Sequence, residues 1–208
     1  VDSVRLVGRE TGLAEQGEAA ALRLEMGFSA IRAAVAQAQS GLITGDTGRW
    51  AGVGPGKRVA FLEWLQPLFN GGHWIPDIMH EAGAVYTMSN AGDPLVSTTY
   101  CQKSIQISEE ELVQYDPDVV LVAPCGFDRA RAHADAQTMW RHHWWVQLRA
   151  VKEGQVYALD GNTYYARPGP RLLQGCGIIA RLLHGDNVGD NIGEEIAPRN
   201  SWTVVHPP

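Results

Sequence analysis

The sequence is short of cysteine, of net positive charge and of long apolar runs, and each shortage narrows what the chain can do. Three cysteines, Cys101, Cys125 and Cys176, allow at most one internal disulfide and leave one thiol over. They neither require nor exclude an oxidising compartment. A formal charge of -6 and a pI near 5.6 offer no basic footprint for nucleic acid or anionic lipid. No stretch reaches the roughly eighteen apolar residues of a membrane span. The opening "VDSVRLVGRETG" has neither an initiator methionine nor the apolar core of a signal peptide, so a mature or truncated piece is expected. Metal-ligand spacings of the HExxH, H-x3-H and C-x2-C kinds are missing too, and His142 and His143, being adjacent, point to different faces of a helix. No protein-built metal site is expected.

What the chain does have is strand–helix alternation. Ala14 to Gln39 is Ala-rich, and Leu24, Phe28, Ile31 and Val35 recur at helical spacing, which predicts one long helix after a short apolar segment at Val4 to Val7. Ser40 to Arg58 is rich in glycine and reads as a linker. Beyond it, "RVAFLE", "DVVLVAP" and "QVYALD" read as strands. Helical stretches fall at about 76–82, at "SEEELVQY", at "DRARAHADAQTMW" and at "RLLQGCGIIARLLH". The expected class is α/β, a Rossmann-like lobe whose mostly parallel sheet carries helices on both faces. The expected organisation is 1–12, 13–40 for the long helix, 41–57 for the linker and 58–208 for the lobe.

In such sheets the ligand crevice lies beyond the carboxyl ends of the strands. Three unusual segments fall there: "WLQPLFNGGHW" after the first strand, "CGFDRARA" after the second and "GNTYYARPGP" after the third. Trp64, Phe69, Trp74, Tyr164 and Tyr165 can therefore converge on one rim, which suits a large, flat, partly apolar ligand. For each ring taken singly, capping the core is the commoner role. Cys125 stands where a thiol can act as a nucleophile, with His73 as the candidate base, although buried cysteine is commonly a small hydrophobe. Ser108 reads as an N-cap with Glu111 completing a capping box, so Glu109 to Glu111 complement the helix dipole. A carboxylate projecting there can also dock a partner's arginine.

The ordered run "RVAFLEW", Pro67, "GHWIPDIMHEAGA", "ISEEELVQYDPDVVLVAPCGF", "LRAVKEGQVYALDG" and "YYARPGPRLL" resembles the cobalamin-type, helical-backbone substrate-binding proteins of ABC transporters. The resemblance covers almost the whole chain. It implies two α/β lobes joined by a rigid helix, with 13–40 as that helix, 58–208 as the C-terminal lobe and 1–12 as a remnant of the other lobe. It also implies a non-catalytic, extracytoplasmic protein with no intrinsic cofactor, which carries a corrinoid such as cobalamin to the membrane subunits of an importer. Trp64, Pro67, Phe69, Trp74, Tyr164, Tyr165 and Arg167 would face the ligand, and Glu110 would dock the transporter. Haem or a ferric siderophore is the alternative cargo, with His73, Tyr164 or Tyr165 available as an axial ligand. A Cys125-dependent enzyme is the alternative from another class. Some relatives pair a cysteine at the position of Ala82 with one in the last helix, a bond not expected here for Cys176.

Overall fold

The computed structural model describes residues 1–40, 56–88 and 103–208. The chain begins with α1 (Asp2–Glu10) and α2 (Ala14–Gln39), so the segment read as short and apolar is a helix, and the long helix has the expected ends. Strands β1 (Val59–Leu65), β2 (Leu68–Asn70), β3 (Val119–Val122), β4 (Val156–Leu159) and β5 (Trp202–Val204) form one sheet in the order β2-β1-β3-β4-β5. The central three are parallel, with Val59 opposite Val119 and Val120 opposite Val156. Both edge strands run antiparallel.

A parallel sheet is stable only when both faces are covered, and the strand residues are apolar on both. Val59, Phe61, Val119, Leu121, Tyr157 and Leu159 enter one core, while Ala60, Leu62, Val120, Val122, Val156 and Ala158 enter the other. This is the period-2 alternation of a strand. The first face is covered by α2, α3 (Ile75–Glu81), and, further along the chain, α8 (Arg171–His184) and α9 (Asp186–Ile192). Against the second pack α4 (Glu109–Tyr115), α5 (Arg129–Gln137) and α6 (Arg149–Lys152), together with tight turns at Met139 and Trp145. The remaining helix, α7 (Gly161–Tyr164), is a single turn after β4. The expected linker falls mostly outside the described residues. Among the described residues no helix is long and apolar enough to cross a membrane.

Ile31 and Val35 of α2 are buried in the first core, with Phe28 packed at its edge. Toward its beginning, α2 packs instead against α1. Gly8 and Gly17 bring the two backbones together, since a Cβ on Gly17 would lie 2.9 Å from the Gly8 Cα. Arg5 adds ion pairs to Glu18 at 2.9 Å and Glu25 at 2.7 Å. Five large apolar residues of this hairpin, Leu6, Val7, Leu13, Leu22 and Met26, are exposed, Met26 by 71%, among charged residues such as Arg9, Glu10 and Glu15.

The glycine contact gives a direct test. Gly17→Val cannot be relieved by a flexible neighbour, because the atoms it meets are backbone, and it is expected to lower stability by about 1–3 kcal/mol. Gly169→Ala places its Cβ where nothing lies within 4 Å, so it should stay within about 0.5 kcal/mol. Urea unfolding midpoints of the two variants decide, and equal midpoints would count against the close packing of α1 on α2.

Candidate ligand-binding site

Three loops leave the carboxyl ends of β1, β3 and β4. At the first of these ends Trp64, still within β1, is 37% exposed, and its indole N–H donates to the Gln66 carbonyl at 3.0 Å. The Gln66-Pro67 peptide is cis and joins β1 to β2. Trp64 and Phe69 are cross-strand partners, which puts both side chains on one face of this ribbon. The Gln66 side-chain amide lies 3.3 Å from Nε2 of His142. In the second loop, Phe127 meets Trp64 edge-on at 5.3 Å, and the Arg131 guanidinium sits 3.7 Å from the centre of the Phe127 ring. Asp128 fixes the start of α5 by accepting from the Arg131 backbone N–H at 2.8 Å. The third loop is tied to the second where Asn162 N–H donates to the Phe127 carbonyl at 3.0 Å. Asp160 caps α7 through Thr163 N–H at 2.7 Å and the Thr163 hydroxyl at 2.8 Å.

The paired glycines after β2 are a close-approach device. A Cβ on Gly72 would lie 2.1 Å from the Ser104 backbone nitrogen, and one on Gly71 would strike Ile75 and Phe61. Buried Asn70 spans the same junction, donating to Met88 O at 2.7 Å and accepting from Ile105 N–H at 2.8 Å. The turn delivers Trp74, half-buried, whose indole N–H donates to Tyr165 O at 2.7 Å. Trp74 also lines an open groove of about 820 Å³ between α1, α2, α3 and the 168–173 segment. Its walls are mainly apolar, including Leu24, Phe28, Leu172 and Leu173, and Asp77 and Glu81 stand among them. Burial, reinforced by Glu81, pushes the Asp77 carboxyl above the usual range.

The expected rim residues therefore separate. Trp64, Pro67 and Arg167 are exposed, while Phe69 and Tyr164 are half-buried. Trp74 faces the groove. Tyr165 does not stand on the rim: it is 3% exposed, packs edge-on against Phe61 at 5.3 Å and donates its hydroxyl to Gly175 O at 3.0 Å. Burial holds its phenol well above the ordinary pKa. It is a core residue, because the turn of α7 points adjacent tyrosines to different sides. Glu110 is exposed on the first turn of α4, beside the complete Ser108–Glu111 capping box. Among the described residues Cys176 is a free, buried thiol whose Sγ lies 3.6 Å from Ile78 O. Phe127, Arg131 and His142, which the structure places beside Trp64 or Gln66, were not among the expected residues. The first two carried a usable signal, an i, i+4 pair straddling the Asp128 cap.

Cys125 is exposed on the second loop. Partial burial, with Glu63 nearby, pushes its thiol pKa up, and Arg167 offsets this only in part. A thiolate nucleophile needs the opposite shift.

A family model described as periplasmic binding protein matches residues 1–163. No curated protein matches the sequence. Among solved structures, an ABC transporter substrate-binding protein from Listeria monocytogenes superposes with a TM-score of 0.67 at 16% identity, covering 88% of this chain and 62% of that one. A periplasmic heme binding protein from Pseudomonas aeruginosa gives 0.64 at 20%, covering 88% and 58%. The periplasmic vitamin B12 binding protein of Vibrio cholerae gives 0.61 at 20%, covering 91% and 60%. The chain thus spans about 62% or less of the length of these structures, and at such identities the likeness is one of fold.

The contrast between the two rings is measurable. Tyr165→Ala empties a core position and is expected to cost about 3–5 kcal/mol, whereas Trp64→Ala removes a half-exposed ring and should cost no more than about 1 kcal/mol. Thermal melts check both, and a collapse of the Trp64 variant would make that ring structural. For Cys125, burial pushes the thiol pKa up, away from the thiolate form. Iodoacetamide labelling, followed by peptide mapping, should reach half its maximal rate at a higher pH than a free cysteine does. Rapid labelling near pH 7 would restore the nucleophile reading.

Proposed function

This chain belongs to the periplasmic binding protein family, and from that premise we propose that it takes part in binding a flat metal chelate, cobalamin first, for delivery to an ABC importer outside the cytoplasm. The observation that carries this reading is Trp64: an exposed aromatic ring, held on two sides, at the carboxyl end of a parallel strand. Family membership favours carriage of a solute over catalysis, and the direction of the Cys125 shift agrees with it. A fully buried aromatic covers some 150–250 Å², on the order of 4–6 kcal/mol at about 25 cal/mol per Å² before association costs. Trp64, with Pro67 and its cross-strand partner Phe69, and with Tyr164 and Arg167 from the segment after β4, would supply one wall of the site. Haem is the second reading, favoured by exposed His73, whose ring lies 5.6 Å from that of Trp74, and by the haem-binding relative.

In this reading 58–208 is the C-terminal lobe, 13–40 the linking helix and 1–12 the end of the other lobe. The shortfall in length against the solved structures and the exposed apolar residues of α1 and α2 support that division. Glu110, exposed at the start of α4, is the proposed contact to the transporter.

Absorbance titration of the chain with cyanocobalamin, haemin and a ferric hydroxamate separates the cargoes. Cyanocobalamin is expected to bind with a preference over the other two, and at least about a hundredfold more weakly than to a two-lobed relative, a difference of some 2.7 kcal/mol. Preference for haemin would move the reading to haem. Trp64→Ala should weaken the preferred ligand about tenfold, and unchanged affinity would remove Trp64 from the site.

A further inference from the structure

We infer that Arg131 is a positioning residue for the ligand surface, acting through Phe127 to hold the Trp64 ring in one orientation. The inference rests on the reading of Trp64 as a ligand-facing ring. An indole exposed at a strand end would ordinarily sample several rotamers, and a ligand that orders it loses affinity to that entropy. Here the ring is held at two points. Its N–H is bound to Gln66 O at 3.0 Å, and it meets Phe127 in an edge contact at 5.3 Å and 63°.

Phe127 is the better buried of the pair, 8% exposed, and belongs to the second core. Its loop is tied on the far side by Asn162. Over its ring lies the Arg131 guanidinium at 3.7 Å. Among the described residues that guanidinium makes no ion pair or hydrogen bond; the Arg131 contact to Asp128 uses the backbone N–H. The ring stack is thus what fixes the side chain. A planar guanidinium lies flat on an aromatic face in a way that an ammonium does not. Asp128, by capping α5, places residue 131 one turn beyond Phe127, and the order Arg131, Phe127, Trp64 runs from α5 to the candidate rim. Arg131 need not touch the ligand: it restricts the ring that does.

The test reads Trp64 directly. In the chain labelled with 5-fluorotryptophan, the Trp64 fluorine resonance is assigned by Trp64→Phe. Arg131→Ala, which keeps the backbone cap and a good helix former, should shift or broaden that resonance, and Arg131→Lys should restore it in part. Phe127→Leu should perturb it as well, and adding Arg131→Ala to Phe127→Leu should change nothing further, because the effect passes through the lost ring. With cyanocobalamin as the probe, Arg131→Ala should bind two- to fivefold more weakly at an unchanged melting temperature. A Trp64 resonance unmoved by Arg131→Ala, or moved equally without Phe127, would overturn the inference. If cyanocobalamin bound neither wild type nor variant, the cargo assignment would fail while the resonance still decided the role of Arg131.

Discussion

The pairing of β1, β3 and β4 as parallel neighbours is the constraint on which the rest of the structure depends. Parallel strands cannot be joined by hairpins, so each connection crosses a face of the sheet and covers it on the way. β3 and β4 are buried at every residue, and the two sets of alternating side chains make two cores. All three loops at the carboxyl ends then emerge together. The candidate site follows from that topology, with Trp64 near the end of β1, Phe127 on the loop after β3 and Asn162 on the single turn of α7 after β4.

The second consequence concerns which aromatics stay outside. A ring one residue too far around a turn enters the core, as Tyr165 does against Phe61, while Tyr164 remains half-buried. At the other loop the β2 hairpin keeps Trp64 out of both cores, and Trp74 is drawn toward α2 by its bond to Tyr165. The aromatic surface is therefore divided between the Trp64 rim and the groove beside α2. Arg181 secures the end of α8: fully buried, it binds Asp186 at 2.9 Å, Asp190 at 3.1 Å and Glu194 at 3.2 Å, and so fastens α9 to α8.

Much of this architecture was legible in the sequence because burial on both faces writes uninterrupted apolar runs, such as Val119 to Val122, and because α2 and α8 repeat their apolar residues at helical spacing. α1 was read only as a short apolar segment, because its nine residues bring Val4, Leu6 and Val7 close together, and the glycine contact and Arg5 ion pairs that dock it on α2 are tertiary. The edge strands β2 and β5 are three residues each, too short for alternation to register. At the candidate site, the loops were legible from the strand ends, and the exposure of Trp64 from its place near the end of β1. Which tyrosine turned inward depended on the phase of α7, a single turn. The stack of Arg131 on Phe127 is a tertiary contact whose only sequence trace is a four-residue spacing, and His142 reaches Gln66 across 76 residues.

Hydroxyl-radical footprinting of the chain with and without saturating cyanocobalamin reads each tryptophan separately and so decides whether the strand-end rim holds the ligand. Oxidation of Trp64 should fall several-fold on binding while buried Trp145 stays unreactive in both states. Saturation with cyanocobalamin that left Trp64 as reactive as before would show that the ligand lies elsewhere, and would contradict the assignment of the strand-end rim as its site.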